Sequence, residues 1–159
     1  MGGAKLWLAL AWVVTALGLA ACGGDDGDDT GTSAKESREP ILIKTHVDPL
    51  NAMGETVGEV LSGSTIGDSA FCAGGRFINA ATRPGAPPTH ALVRSFRCPG
   101  GTLTITFTST PPDVKQRSDW KVVKGLGRFE GLSGGGRMRA VFESRRGEGR
   151  DTFTGTVTR

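Results

Sequence analysis

The chain has 159 residues, with 19 Lys and Arg against 16 Asp and Glu and 37% apolar residues. That length allows one compact domain plus short appendages and no second domain of ordinary size. There is no Tyr, and Trp120 is the only Trp after residue 12. The basic residues are scattered, so the pairing of basic groove and stacking aromatics that holds nucleic acid is missing, and no such partner is expected.

Lys5 is the only charge in the first 21 residues, and it precedes the apolar run LWLALAWVVTALGLA at 6–20. A short positive start followed by such a run predicts a secretory signal peptide over 1–21. The run is short for a spanning helix, which needs about 20 apolar residues. It ends in Leu19-Ala20-Ala21-Cys22, which resembles the lipobox of bacterial lipoproteins. The resemblance implies cleavage before Cys22 and a thioether-linked diacylglyceryl group with palmitate-type chains. It also implies a lipid-bilayer partner, on the extracytoplasmic side of a bacterial cell membrane. Two acyl chains anchor stably, because each buried CH₂ adds about 0.8 kcal/mol. An ordinary cleaved signal with an incidental cysteine is the alternative.

Residues 22–39 then form the lipidated Cys and an Asp/Gly-rich segment holding Asp25, Asp26, Asp28 and Asp29. With almost no large apolar side chain it cannot offset the entropy of ordering, so a disordered tether is expected. The Asp run lacks the ligand spacing and closing Glu of an EF-hand loop, so no calcium site is assigned.

The expected domain, 40–159, carries 16 Lys and Arg against 10 Asp and Glu. A basic domain outside a cell suits anionic headgroups or acidic wall polymer. Its pattern is short alternating runs broken by Gly and Pro, an all-β signature. In chain order the expected strands are ILIKTHV (41–47), GETVGEVL (54–61), AFCAGGRFIN (70–79), HALVRSFRC (90–98), TLTITFT (102–108), DWKVVKG (119–125), GRFEGL (127–132), RMRAVFE (137–143) and TFTGTVT (152–158). In TLTITFT, Leu103, Ile105 and Phe107 share one face and the threonines the other; Met138, Ala140 and Phe142 repeat the device, as do Phe153, Gly155 and Val157. The consecutive prolines of ATRPGAPPT (81–89) and STPPDVKQRS (109–118) supply no ladder donors, so both are expected loops. Eight or nine short strands at regular spacing fit a sandwich or a closed barrel. Cys72 and Cys98, an even pair in an exported protein, are expected to form a disulfide. Closing a loop of about 27 residues contributes roughly 3–3.5 kcal/mol. A reactive thiol pair is the alternative, without a C-x-x-C to support it.

KGLGRFEGLSGGGRM, residues 124–138, holds six glycines in fifteen positions. It is one residue too long for a G-x-G-x-x-G fingerprint, no helix pattern follows to hold a phosphate, and Gly-Lys-Ser/Thr is absent. It therefore reads as tight turns between antiparallel strands, and no cofactor is assigned. Together with Trp120 upstream and F-T-G-T-V downstream, its Gly125, Gly127, Phe129, Gly131, Gly134 and Gly136 resemble the pattern of allene-oxide-cyclase-like (dirigent-type) β-barrels. The match covers mainly 119–157. It implies a single antiparallel eight-stranded barrel, closed or nearly so. The pattern is one of fold, and the plant cyclases' catalytic residues have no counterparts here.

Candidate chemistry is sparse. His46 and His90 have no carboxylate or cysteine at ligand spacing, so no metal is assigned. Ser62, Ser64 and Ser95 lack a nucleophile context such as G-x-S-x-G. Glu55, Glu59 and Glu130 are read either as acid/base groups inside the barrel or as exposed strand residues. Lys121, Arg128, Arg137 and Arg139, with Arg94, are read either as a basic face for an anionic partner or as a solvated exterior. Three functions follow: a tethered barrel binding a small apolar or lipid-like ligand, a cell-surface interaction protein using that basic face, and an isomerase or cyclase of the kind the resemblance implies.

Overall fold

The computed structural model describes residues 37–53, 55–83, 90–110, 113–143 and 147–159. The expected signal peptide, Cys22 and most of the tether lie outside the described residues, as do 84–89 and 111–112 of the two proline loops.

The fold is all-β. Ten strands form in chain order: β1 (Glu39–Val47), β2 (Val57–Val60), β3 (Thr65–Ile66), β4 (Ser69–Ala70), β5 (Arg76–Arg83), β6 (His90–Cys98), β7 (Gly101–Ser109), β8 (Lys115–Gly127), β9 (Ser133–Phe142) and β10 (Gly149–Thr158). Hydrogen bonding runs β1-β2-β5-β6-β7-β8-β9-β10, and β10 pairs back onto β1 from Glu39↔Val157 to Val47↔Gly149. The result is a closed antiparallel ring of eight strands, which leaves no unpaired edge. The short β3 and β4 lie outside the ring; β3 pairs with β1 at Ile41 and Leu42, beside the β1–β2 contact at Thr45–Val47. Every ring strand and the buried apolar cluster fall between Glu39 and Thr158, so this segment carries its own core.

Alternation decides which side chains fill the ring. Ile41, Ile43, Thr45 and Val47 of β1 point in, as do Leu103, Ile105 and Phe107 of β7. Their partners Thr102, Thr104, Thr106 and Thr108 stand outward; Thr104 pairs its hydroxyl with that of Ser95 on β6 at 3.2 Å. Rings crowd one end: Phe96 contacts Phe71 at 5.5 Å between centroids and Phe153 at 6.3 Å, and Phe153 meets Trp120 at 6.3 Å. Edge-to-face pairs of this kind add to the area they bury. Phe71, which follows β4, and Phe129, in the β8–β9 turn, lie 5.7 Å apart and close that end.

Two expected strands differ, and the two expected loops are shorter, since 81–83 belong to β5, Ser109 to β7 and 115–118 to β8. AFCAGGRFIN does not run as one strand: Cys72 (φ 50°) and Gly74 (φ 73°) turn the chain before β5, and Gly74 N donates to Val60 O. The turn is pinned because Cys72 is bonded to Cys98 at the end of β6, with Cα atoms 5.0 Å apart. GRFEGL is not a strand either. Arg128 to Leu132 form consecutive turns, with Glu130 N donating to Gly127 O and Leu132 N to Phe129 O. Gly125 permits this, since a Cβ there would strike the Phe129 carbonyl. Gly127 and Gly131 take positive φ in the turn, but Gly134 and Gly136 belong to β9, not to a turn. At Gly136 a Cβ would strike the Thr154 carbonyl of β10, so the glycine lets two strands approach closely.

Candidate functional site: the open mouth of the barrel

The end opposite the rings is built from the C-terminal halves of β1, β5, β7 and β9 and the N-terminal halves of β2, β6, β8 and β10. It encloses a cavity of about 710 Å³. Its wall is largely apolar, from Val47, Leu92, Phe107, Met138, Ala140 and Phe142, and Leu50 and Val114 stand at the rim about half exposed. The rim between β7 and β8 is tied by Gln116. Its Oε1 accepts from Ser109 Oγ (3.0 Å) and Thr110 N (3.1 Å), and its Nε2 donates to Asp113 O (3.0 Å).

Two opposite charges lie between this cavity and the packed rings. Arg94 of β6 and Asp151 of β10 are each 2% exposed at the side chain, and Arg94 Nη1 lies 2.6 Å from Asp151 Oδ2. Arg94 Nε donates to Asn79 Oδ1 (2.7 Å) and Nη1 to Thr45 Oγ1 (3.2 Å). The guanidinium also lies 3.9 Å from the centre of the Phe77 ring, 5.1 Å from Phe107 and 5.3 Å from Phe153. Ring faces attract a cation most when water is excluded, as here. Burial pushes the guanidinium below its ordinary pKa, and the charge and hydrogen bond of Asp151 pull it back. An arginine keeps its proton at neutral pH under such opposing effects. Asp151 Oδ1, on the other side of the carboxylate, is buried with no hydrogen-bond partner among the described residues; Ser118 Oγ, on the next inward row of β8, shares that condition.

The carboxylates weighed from sequence are elsewhere. Glu59 and Glu130 are exposed, and Glu55 sits in the approach to β2, where its Oε2 accepts from Asn51 Nδ2. His46 is half-buried, 3.7 Å from Asp48, and His90 opens β6. Among the described residues no three His, Cys, Asp or Glu side chains gather as metal ligands. Ser64 is buried in a structural role, its hydroxyl accepting from Lys44 N and donating to Leu61 O.

Of the basic group, Lys121, Arg137 and Arg139 are exposed on the outer face of β8 and β9. Arg128 lies apart, over the Phe129 ring in the β8–β9 turn. Arg94 does not join them: it is the buried cation of the interior. Residues not singled out extend the outer face, since Arg117 stands directly opposite Arg139 and Arg150 opposite Val141. Asp119 is the acid among them, 3.9 Å from Arg137.

The interior pair was legible in principle. Leu92-x-Arg94-x-Phe96 and Asp151-x-Phe153-x-Gly155-x-Val157 put both charges in step with inward apolar residues. Strand parity thus marked them, although charge alone argued for the surface. Compared with known proteins, the chain matches no protein-family model, and neither a curated protein nor a solved structure shows significant similarity to it.

Proposed function

We propose that this chain is an exported, membrane-tethered binding protein whose barrel mouth takes up one small, mainly apolar molecule. The observation that carries this reading is the mouth cavity of about 710 Å³, apolar-walled and floored by a closed aromatic core. Small-molecule sites are concave and mostly apolar, with a few placed polar groups and volumes of roughly 300–1,000 Å³. Closed barrels offer such a space when their interior is not filled. The membrane anchor rests on the Leu19-Ala20-Ala21-Cys22 sequence, and metabolic labelling with an alkynyl fatty acid that is lost in Cys22→Ala tests it. The allene-oxide-cyclase-like resemblance implies an eight-stranded ring of this kind, and fold-level likeness carries no activity to this chain. An isomerase or cyclase would use the same cavity. We favour binding, because the buried ionisable groups beside it, Arg94 and Asp151, neutralise each other. Native mass spectrometry of the chain from residue 23 onward, purified without detergent, tests the reading. A co-purified small molecule is expected, and its loss when Ala140 is enlarged to Leu places it in the mouth. Failure to take up any apolar compound would overturn it.

A second reading has its own observation. Arg117 and Arg139 are directly opposed on the outer face, an arrangement that repels unless a counter-charge is present. An acidic wall polymer would supply one. Such binding should weaken strongly between about 0.1 M and 1 M salt, as the screening length falls from about 10 Å to 3 Å; salt-insensitive binding would sink it.

A further inference from the structure

We infer that the occupant of the mouth carries a hydrogen-bond donor, a hydroxyl or amino head, that seats on Asp151 Oδ1, and that the site discriminates against carboxylate and phosphate heads. This rests on the mouth being a binding site and adds the chemistry of the ligand's polar end.

Asp151 is almost wholly buried and lines the cavity. Its Oδ2 is held by Arg94, while its Oδ1 has no partner among the described residues. A buried carboxylate oxygen without a donor is costly, because the water it gave up is not replaced. Arg94, the group that would ordinarily attract an anionic head, has its charge balanced by that carboxylate. Its Nε serves Asn79, its Nη1 serves Thr45 and Asp151, and the Phe77 ring covers its plane. Neutralised by Asp151, it presents no net positive charge to the cavity.

The neighbouring amides are engaged as well. Asn79 Oδ1 accepts from Arg94, and Gln116 is bound at both ends to Ser109, Thr110 and Asp113. The floor therefore offers an acceptor bearing negative charge, beside a cation whose charge is already balanced. A neutral or cationic donor completes it, and a second carboxylate facing Asp151 would be repelled. The apolar wall of Leu92, Met138, Ala140 and Phe142 suits an alkyl or alicyclic body above that head. A small buried water on Oδ1 is the competing explanation, and it makes a different prediction.

The experiment is calorimetric titration of the chain from residue 23 onward with four probes built on a ten-carbon chain: 1-decanol, decylamine, sodium decanoate and 1-methoxydecane, which has no donor. The alcohol and the amine are expected to bind at least about tenfold more tightly than the ether and the decanoate, the ratio one charge-assisted hydrogen bond supplies. The double variant Arg94→Met with Asp151→Leu removes the acceptor and its counter-charge together. It should bind alcohol and ether equally, the preference for alcohol being lost. Equal binding of ether and alcohol in the parent would mean that water serves Oδ1, and would overturn the inference while leaving the cavity a binding site. Tightest binding of decanoate would overturn it in the same way. If none of the four binds, the binding reading itself fails. Should the double variant not fold, the order of the four probes on the parent decides alone.

Discussion

The two ends of this barrel are built from the same eight strands, yet they solve the interior in different ways. At the closed end Phe71, Phe96, Phe153 and Trp120 interlock edge to face, Phe129 packs at a tilt against Phe71, and the disulfide fastens the turn that delivers Phe71. At the mouth, side chains of the same strands leave about 710 Å³ open, and the interior charges, Arg94 and Asp151, stand between the two regions. Eight strands leave an interior just wide enough for side chains to fill or for one small ligand. Which outcome prevails depends on side-chain size row by row. Ala140 leaves room at the mouth, where the closed end has rings. The comparison suggests a division of labour, with stability concentrated in the closed end and recognition in the mouth.

The largest test of that division is Phe96→Ala at the closed end. Emptying a fully buried ring site should cost about 3–5 kcal/mol, read as a lowered urea midpoint, with ligand affinity of the folded fraction unchanged. A loss of the same size, about 3–5 kcal/mol, is expected for Asp151→Ala, which strands the Arg94 cation. The double variant Arg94→Met with Asp151→Leu should be no less stable than the parent, since the desolvation of both charges is removed together. A double variant markedly less stable than the parent would show instead that the pair stabilises the fold outright.

Reduction of Cys72–Cys98, or replacement of both by Ala, should lower stability by about 3 kcal/mol, from a loop closed over a separation of 26 residues. The unfolding midpoint under reducing and non-reducing conditions measures it. The smallest effect on stability belongs to the mouth. Ala140→Leu should change unfolding by less than about 1 kcal/mol, because the added atoms enter open space. The same variant should weaken decanol binding at least about tenfold. A large stability loss from Ala140→Leu, with binding intact, would erase the distinction between the ends.

Much of the fold was readable from local pattern. HALVRSFRC coincides with β6, TLTITFT lies within β7, and TFTGTVT falls inside β10, because strict alternation leaves one consistent way to bury the apolar face. GRFEGL and AFCAGGRFIN misled for a physical reason. Each contains large apolar residues at strand-like spacing, but Phe129, Leu132 and Phe71 are buried by turns folded over the barrel end. A turn that caps a core needs the same residues as a strand that fills it. Lys121, Arg137 and Arg139 share the outer face, whereas Arg128 lies apart in a turn and Arg94 is buried, where average charge behaviour yields to the parity of its own strand.

The sequence by itself determined most of the ring strands, many of their inward faces, the turn glycines around Phe129 and the Cys72–Cys98 pair, since each follows from side-chain period, backbone permission or covalent chemistry within a short span. Only the tertiary structure decided that β10 closes on β1, that Arg94 of β6 meets Asp151 of β10 inside the ring, and that Oδ1 of that aspartate is left without a donor beside an open cavity. Those facts depend on contacts between residues far apart in the chain, and no local pattern specifies which inward-facing polar group will find a partner.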